Sequence, residues 1–213
     1  MVELTGVCRR TGGGPEPALL ARVVAGLPGR RFLELGAGCG QASVRLAGLR
    51  EGCVIDALER QLVLVEEARL LVARYGVAVR VIAGDLRDWR GLLGGGCYDG
   101  VFFNPPYFEA GAHREPRDPL RAAARMTLHG GLDAFCAAAY GLVRVGGWVV
   151  VVYRGDGVGG CVGALQGAGF CVERQIVVET GGRGLVMMVA RKGWVGPWYG
   201  CRGAVGEGMF KGL

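Results

Sequence analysis

The sequence predicts an α/β domain built on a mostly parallel seven-stranded sheet with an antiparallel final strand and helices on both faces. Two observations carry this expectation. Short apolar runs rich in branched residues alternate with segments of helical period, which reads as parallel strand-helix-strand units. The run Val149 to Tyr153 is also apolar at every position, as a central strand covered on both faces must be.

Taken in order, residues 1–30 are expected to form a helical lead-in. Strands are then expected at Arg31 to Leu35, Cys53 to Glu59, Val77 to Ile82, Tyr98 to Phe103, Gly147 to Val152, Cys171 to Val178 and Leu185 to Arg191. Helices fall between the first three. Gln41 to Leu49 is short, and Gln61 to Tyr75 repeats Leu62, Val65, Ala68 and Val72 around charged positions. The last two strand runs are separated by Thr180, Gly181 and Gly182, a turn composition that makes them an antiparallel pair. Glycine clusters at Gly94 to Gly96 and Gly155 to Gly160 read as further turns. At 213 residues, with no internal repeat or linker, the chain reads as a single domain, 1–213.

Composition narrows the function classes. A formal net charge of +6, nearly all of it arginine, suits a phosphate-bearing partner, although a compositional bias toward arginine would give the same balance. The eight cysteines stand apart with no C-x-x-C pair, and several fall inside apolar runs, so buried reduced thiols are expected rather than bridges or zinc. His113 and His129 have no ligand partners at metal spacing, so no metal is expected. No stretch is long and apolar enough to cross a bilayer, and the region around Glu3, Arg9 and Arg10 lacks a secretory h-region. A soluble, cytoplasmic monomer is the expectation.

The first chemistry-bearing segment is Glu34-Leu35-Gly36-Ala37-Gly38-Cys39-Gly40, directly after the first strand. Alternating glycines let the backbone turn sharply and approach a ligand at the carboxyl end of a sheet. The dinucleotide fingerprint needs a glycine where this chain has Gln41, and no Gly-Lys-Ser/Thr follows, which excludes a triphosphate loop. The acidic E-x-G-x-G-x-G form instead resembles the first motif of class I methyltransferases, whose fold is Rossmann-like. That resemblance implies S-adenosyl-L-methionine as cofactor, with Glu34 near its cationic methionine end and Gly36, Gly38 and Gly40 along its backbone path. Glu59, ending the second strand, stands where an acid accepts from both ribose hydroxyls. Asp85, closing the third, matches the acid that in this superfamily meets the adenine amino group. Each has a plainer reading: Glu59 pairing with Arg60, Asp85 capping a turn.

The second segment is Asn104-Pro105-Pro106-Tyr107, just past the fourth strand. Successive prolines stiffen the backbone and remove its donors while leaving carbonyls free to accept. An exocyclic amine is a poor nucleophile because its lone pair is delocalised. The Asn104 side-chain carbonyl and the Pro105 backbone carbonyl can each accept an amine hydrogen, aiming the nitrogen and supporting its developing positive charge. Tyr107 offers a ring for a flipped or already exposed base, and Phe108 enlarges that surface. A rigid turn is the plainer reading.

With Phe108 included, the chain resembles the bacterial valine-tRNA adenine-N6 methyltransferase family of the "methyltransferase small" group, over most of its length. The resemblance implies N6 methylation of an adenine in a tRNA anticodon loop. It departs at Gly14-Pro15-Glu16-Pro17-Ala18, where members carry an Asp-Ala-type segment, and at the Tyr199 to Phe210 tail. Arg114, Arg117 and Arg125, with Arg121, follow the catalytic segment and are candidate phosphate contacts. Arg183, Arg191, Lys192 and Arg202 form a second group near the final strands. Interleaved Glu109, Glu115 and Asp118 leave a merely solvated loop open for the first group. The rivals are a protein-glutamine methyltransferase of release factors, whose later motif is similar to Gly130-Gly131-Leu132-Asp133, a ribosomal-RNA base methyltransferase, and a non-catalytic RNA-binding module.

Overall fold

The computed structural model describes residues 14–106, 131–178, 184–193 and 203–204. Helix α1 (Glu16–Ala25) precedes β1 (Arg31–Leu35), α2 (Gln41–Leu49), β2 (Val54–Glu59), α3 (Leu62–Tyr75) and β3 (Val79–Ala83). A short α4 (Trp89–Leu93) leads to β4 (Tyr98–Phe103). Then come α5 (Leu132–Leu142), β5 (Val143–Arg154), α6 (Val158–Gly167), β6 (Phe170–Val178), β7 (Leu185–Lys192) and a two-residue β8 (Gly203–Ala204).

The strands form one sheet in the order β3-β2-β1-β4-β5-β7-β6-β8. From β3 to β5 every pairing is parallel, while β7 runs antiparallel to both β5 and β6. The expected antiparallel strand is therefore present, and it lies inside the sheet rather than at its edge. That position explains why Leu185 to Ala190 are all buried. The pairing of β8 with β6 adds an edge too short for any sequence period to reveal.

Alternation along β5 places Val149 and Val151 in one core and Val150 and Val152 in the other, each no more than 1 % exposed. Burying a valine side chain stabilises by about 1.5–3 kcal/mol, so this strand anchors both layers. The core holding Val149 also takes Phe135, Cys136 and Ala139 from α5 and Cys161 and Leu165 from α6. On the other side lie Leu19, Leu20 and Val24 of α1 with Ala42 and Leu46 of α2. Strand β5 begins earlier than the apolar pattern suggests because Gly146-Gly147 forms a register irregularity within it, between the Tyr98–Val143 and Gly100–Trp148 pairs. A Cβ on Gly147 would sit 2.8 Å from the Asp99 carbonyl oxygen, which is why glycine stands there.

Polar ties fix the lead-in and the strand starts. The Arg50 guanidinium donates to the carbonyls of Ala25, Leu27 and Gly29, closing the C-terminal end of α1 against α2. Asp99 accepts from the Arg30 and Arg31 N–H groups at 2.7 and 3.0 Å and from Arg144 at 2.6 Å. Cys53, Cys97, Cys136, Cys161 and Cys171 are free thiols, as expected. Cys39 departs from that expectation: it is disulfide-bonded. Bridging depends on proximity in space, which spacing along the chain does not display.

Candidate active site

The carboxyl ends of β2, β1 and β4 are adjacent, and the residues that follow them build the site. Leu35 and Phe103 are register partners, so the glycine loop and Asn104 leave neighbouring strands at the same level. Gly36, Gly38 and Gly40 have φ of 64, 56 and 74°, a left-handed conformation that L side chains rarely adopt. The predicted loop is therefore a real requirement of the backbone.

Glu59 is the junction of the site. Its Oε2 accepts the Gly38 N–H at 2.8 Å, and its Oε1 accepts the N–H groups of Arg60 and Gln61 at 2.9 and 2.8 Å. Its backbone carbonyl takes the Gly84 N–H at 2.9 Å, and the Leu58 carbonyl takes that of Ala37 at 3.0 Å. One residue thus draws the turns after β1 and β3 toward the end of β2. A carboxylate offers about four lone-pair sites, so Oε2 keeps capacity for a ligand hydroxyl. Burial raises the Glu59 carboxyl above its ordinary range, against the backbone donors that lower it.

Glu34, 6 % exposed, accepts from the Ser43 N–H and hydroxyl. Helix α2 has Gly40 at its N-cap and no side-chain cap of its own, so Glu34 satisfies one of its first-turn donors from the neighbouring strand. Ser43 was not legible as a site residue; a serine in a first helical turn carries no distinctive signal. Burial pushes the Glu34 carboxyl up to about 8, with Glu59 adding to the rise. Two desolvated acids beside a glycine loop fit a ligand that brings positive charge.

Asp85 ends β3 as the cap of the Leu86–Asp88 turn, accepting the Arg87 N–H at 2.9 Å. The Arg87 guanidinium grips both its oxygens at 2.9 and 2.6 Å, and Arg60 lies 3.8 Å away. Arg87 holds this carboxyl down at about 2, fully ionised at neutral pH. The capping role is realised at the carboxyl end of β3, and Arg60 pairs with Asp85 rather than through its side chain with Glu59.

Asn104, directly after β4, is exposed and Pro105 is buried. The remaining predicted residues Tyr107, Phe108, Arg114, Arg117 and Arg125, with Arg121, Arg183, Arg202 and both histidines, lie outside the described residues. Arg191 and Lys192 lie on β7, near the final strands as expected. Because β7 runs antiparallel, both stand at the amino ends of the parallel strands, away from Asn104. There Arg191 lies 3.8 Å over the Trp148 ring and 2.9 Å from Glu173, while Lys192 donates to the carbonyls of Tyr140 and Val143. Among the described residues no helix is long and apolar enough to cross a membrane.

No family model matches the chain. It is similar to the tRNA1(Val) (adenine(37)-N6)-methyltransferase of Aeromonas salmonicida, 36 % identical over 108 residues, 49 % of this chain and 42 % of the relative. The like-named protein of Aeromonas hydrophila is 36 % identical over 128 residues, 58 % and 51 % of the two chains. A protein-L-isoaspartate O-methyltransferase of Methylorubrum populi is 47 % identical over 68 residues, 32 % and 31 %. The matches thus span about half or less of these curated relatives. Among solved structures, a predicted O-methyltransferase from Agrobacterium tumefaciens superposes with a TM-score of 0.67 at 20 % identity, over 89 % of this chain and 86 % of that one. TrmN from Thermus thermophilus superposes at 0.60 and 21 %, over 83 % and 48 %. The fold is that of the Rossmann-like methyltransferases.

Proposed function

We propose that the chain is an S-adenosylmethionine-dependent N-methyltransferase acting on the N6 amine of an adenine in RNA, with a tRNA anticodon loop as the expected target. The observation that carries this reading is the level placement of Asn104-Pro105-Pro106 beside the Gly36 to Gly40 loop, on adjacent strands. The two Aeromonas relatives support the adenine and tRNA assignments. S-adenosylmethionine supplies an electrophilic methyl group on a sulfonium.

Glu34, Glu59 and the glycine loop would hold the cofactor, and Asp85 would meet its adenine. The acids favour its positive charge and the glycines admit its close approach. The Asn104 side-chain carbonyl and the Pro105 carbonyl accept the two hydrogens of the target amine, turning its lone pair toward the methyl and stabilising the positive charge that grows on nitrogen. A flipped base would stack on Tyr107 and Phe108. Arg114, Arg117 and Arg125 would contact phosphates.

The Methylorubrum relative makes carboxyl O-methylation the second reading. An ionised carboxylate has no hydrogen to donate to Asn104 or Pro105, so those acceptors would be wasted on it. Nucleoside mass spectrometry of bulk tRNA treated with the wild type and with Asn104→Ala decides the matter. N6-methyladenosine formed by the wild type alone supports the proposal. Methylated guanine, or a methyl ester on added isoaspartyl peptide with none on tRNA, overturns it.

A further inference from the structure

We infer that Phe135, on the first turn of α5, is a positioning residue that sets the spacing between the glycine loop and the Asn104 segment. The inference rests on the methyl-transfer reading above. The Phe135 ring is 5.2 Å from that of Phe103, the residue before Asn104, at an interplanar angle of 42°. Its Cε1 and Cζ lie 3.2 Å from where a Cβ on Gly36 would stand. Phe103 and Leu35 are register partners, so one ring supports the last residue of β4 and the first loop residue after β1 together.

Phe135 is held firmly enough to act as such a support. It is 6 % exposed, and the next turns of α5 bury Cys136, Ala139 and Leu142 completely against the same core. It has no polar atom and takes no direct part in the chemistry. Methyl transfer requires reacting atoms about 3–3.5 Å apart, so a shift of a few tenths of an ångström in either segment matters. A smaller side chain at 135 lets the two segments settle closer. A methyl group at 36 drives the ring the other way.

The test is a double-mutant cycle on the full chain, read first as S-adenosylmethionine affinity by calorimetry. Gly36→Ala is expected to weaken binding about tenfold or more and Phe135→Leu about threefold or less. The double variant is expected to regain about threefold over Gly36→Ala, because leucine vacates the space the new methyl needs. Leu165→Ala, in the same core but away from both segments, is the control and should combine additively with Gly36→Ala. Additivity in the Phe135 cycle overturns the inference. The second readout is methylation of tRNA at saturating concentrations, where Phe135→Leu lowers kcat about tenfold with KM values little changed while Leu165→Ala, matched in thermal stability, does not. An equal loss in both variants also overturns it. If the wild type binds cofactor but leaves tRNA unmethylated, the RNA reading falls and the cycle alone decides the role of Phe135. A wild type that binds no cofactor overturns both.

Discussion

Glu34 Oε2 accepts two hydrogen bonds from one residue, the Ser43 N–H at 3.0 Å and the Ser43 hydroxyl at 2.5 Å. The carboxyl of the predicted cofactor loop thus also caps α2. Burial pushes it up to about 8, so the folded chain holds a proton that the unfolded chain releases in the ordinary carboxylate range. The stability from this proton is full at acid pH and declines as pH rises from that range through about 8. Denaturant melts at pH 5, 6.5 and 8 should show this decline, and Glu34→Gln should flatten it. An unchanged slope in the variant would contradict the assignment.

The same proton links to ligand binding. A sulfonium and an ammonium placed near Glu34 favour its ionised form, so S-adenosylmethionine binding at pH 7 should expel a proton. Calorimetry in buffers of different ionisation enthalpy should report that release in the wild type and its loss in Glu34→Gln. Binding enthalpies identical across buffers would place the positive charge elsewhere.

Glu59→Ala should be far more damaging than a lost ribose contact suggests. It leaves the half-buried hydrogen bonds from the N–H groups of Gly38, Arg60 and Gln61 without their acceptor, and a hydrogen bond to a charged group contributes about 1.5–3 kcal/mol. Cofactor affinity should fall by about a hundredfold or more together with thermal stability, whereas Glu59→Gln, which retains one acceptor oxygen, should preserve part of both. Melting curves and calorimetry on the two variants check this.

Stability and function separate at Tyr98. Its hydroxyl donates to Asp56 at 2.6 Å, and Arg80 grips the same carboxylate at 2.8 Å through two nitrogens. The Arg80 and Tyr98 bonds outweigh burial and hold Asp56 below the usual carboxylate range. The stability it contributes is therefore present above that range and lost as pH falls through it. Tyr98→Phe should lower stability by about 1–3 kcal/mol at pH 7 and leave cofactor affinity unchanged.

The fold and the strand-end acids were legible because each leaves a local mark. Val149 to Tyr153 is apolar on both faces, and the alternate glycines of 36 to 40 each occupy a left-handed conformation that the spacing already implied. Ser43 and Arg87 were not legible, since each matters only through a carboxylate brought beside it, Glu34 by the β1–α2 turn and Asp85 by the turn after β3. Phe135 reads in the sequence as one more core residue; its contact with Gly36 exists only once α5 packs across β1 and β4. The distance of Arg191 and Lys192 from Asn104 was not legible for the complementary reason. Charge clusters in sequence, but the direction of β7 decides which end of the sheet receives it.

Asn104 separates binding from chemistry. It lies past the end of β4, one strand from the glycine loop, and is exposed while Pro105 after it is buried. If it accepts an amine hydrogen as charge develops on nitrogen, its effect belongs to the transition state rather than to cofactor binding. Asn104→Ala should then lower the single-turnover rate on tRNA by about a hundred- to a thousandfold, the range seen when one such electrostatic contact is removed. S-adenosylmethionine affinity should stay within about twofold, because the contact assigned to Asn104 is to the target amine and not to the cofactor. Asn104→Asp keeps an acceptor oxygen at the same place and adds negative charge, which suits a nitrogen becoming positive, so it should retain more activity than the alanine variant. An aspartate variant no faster than alanine would mean that the asparagine N–H donors, not its carbonyl, matter, and the roles assigned to the acceptor segment would have to be reversed.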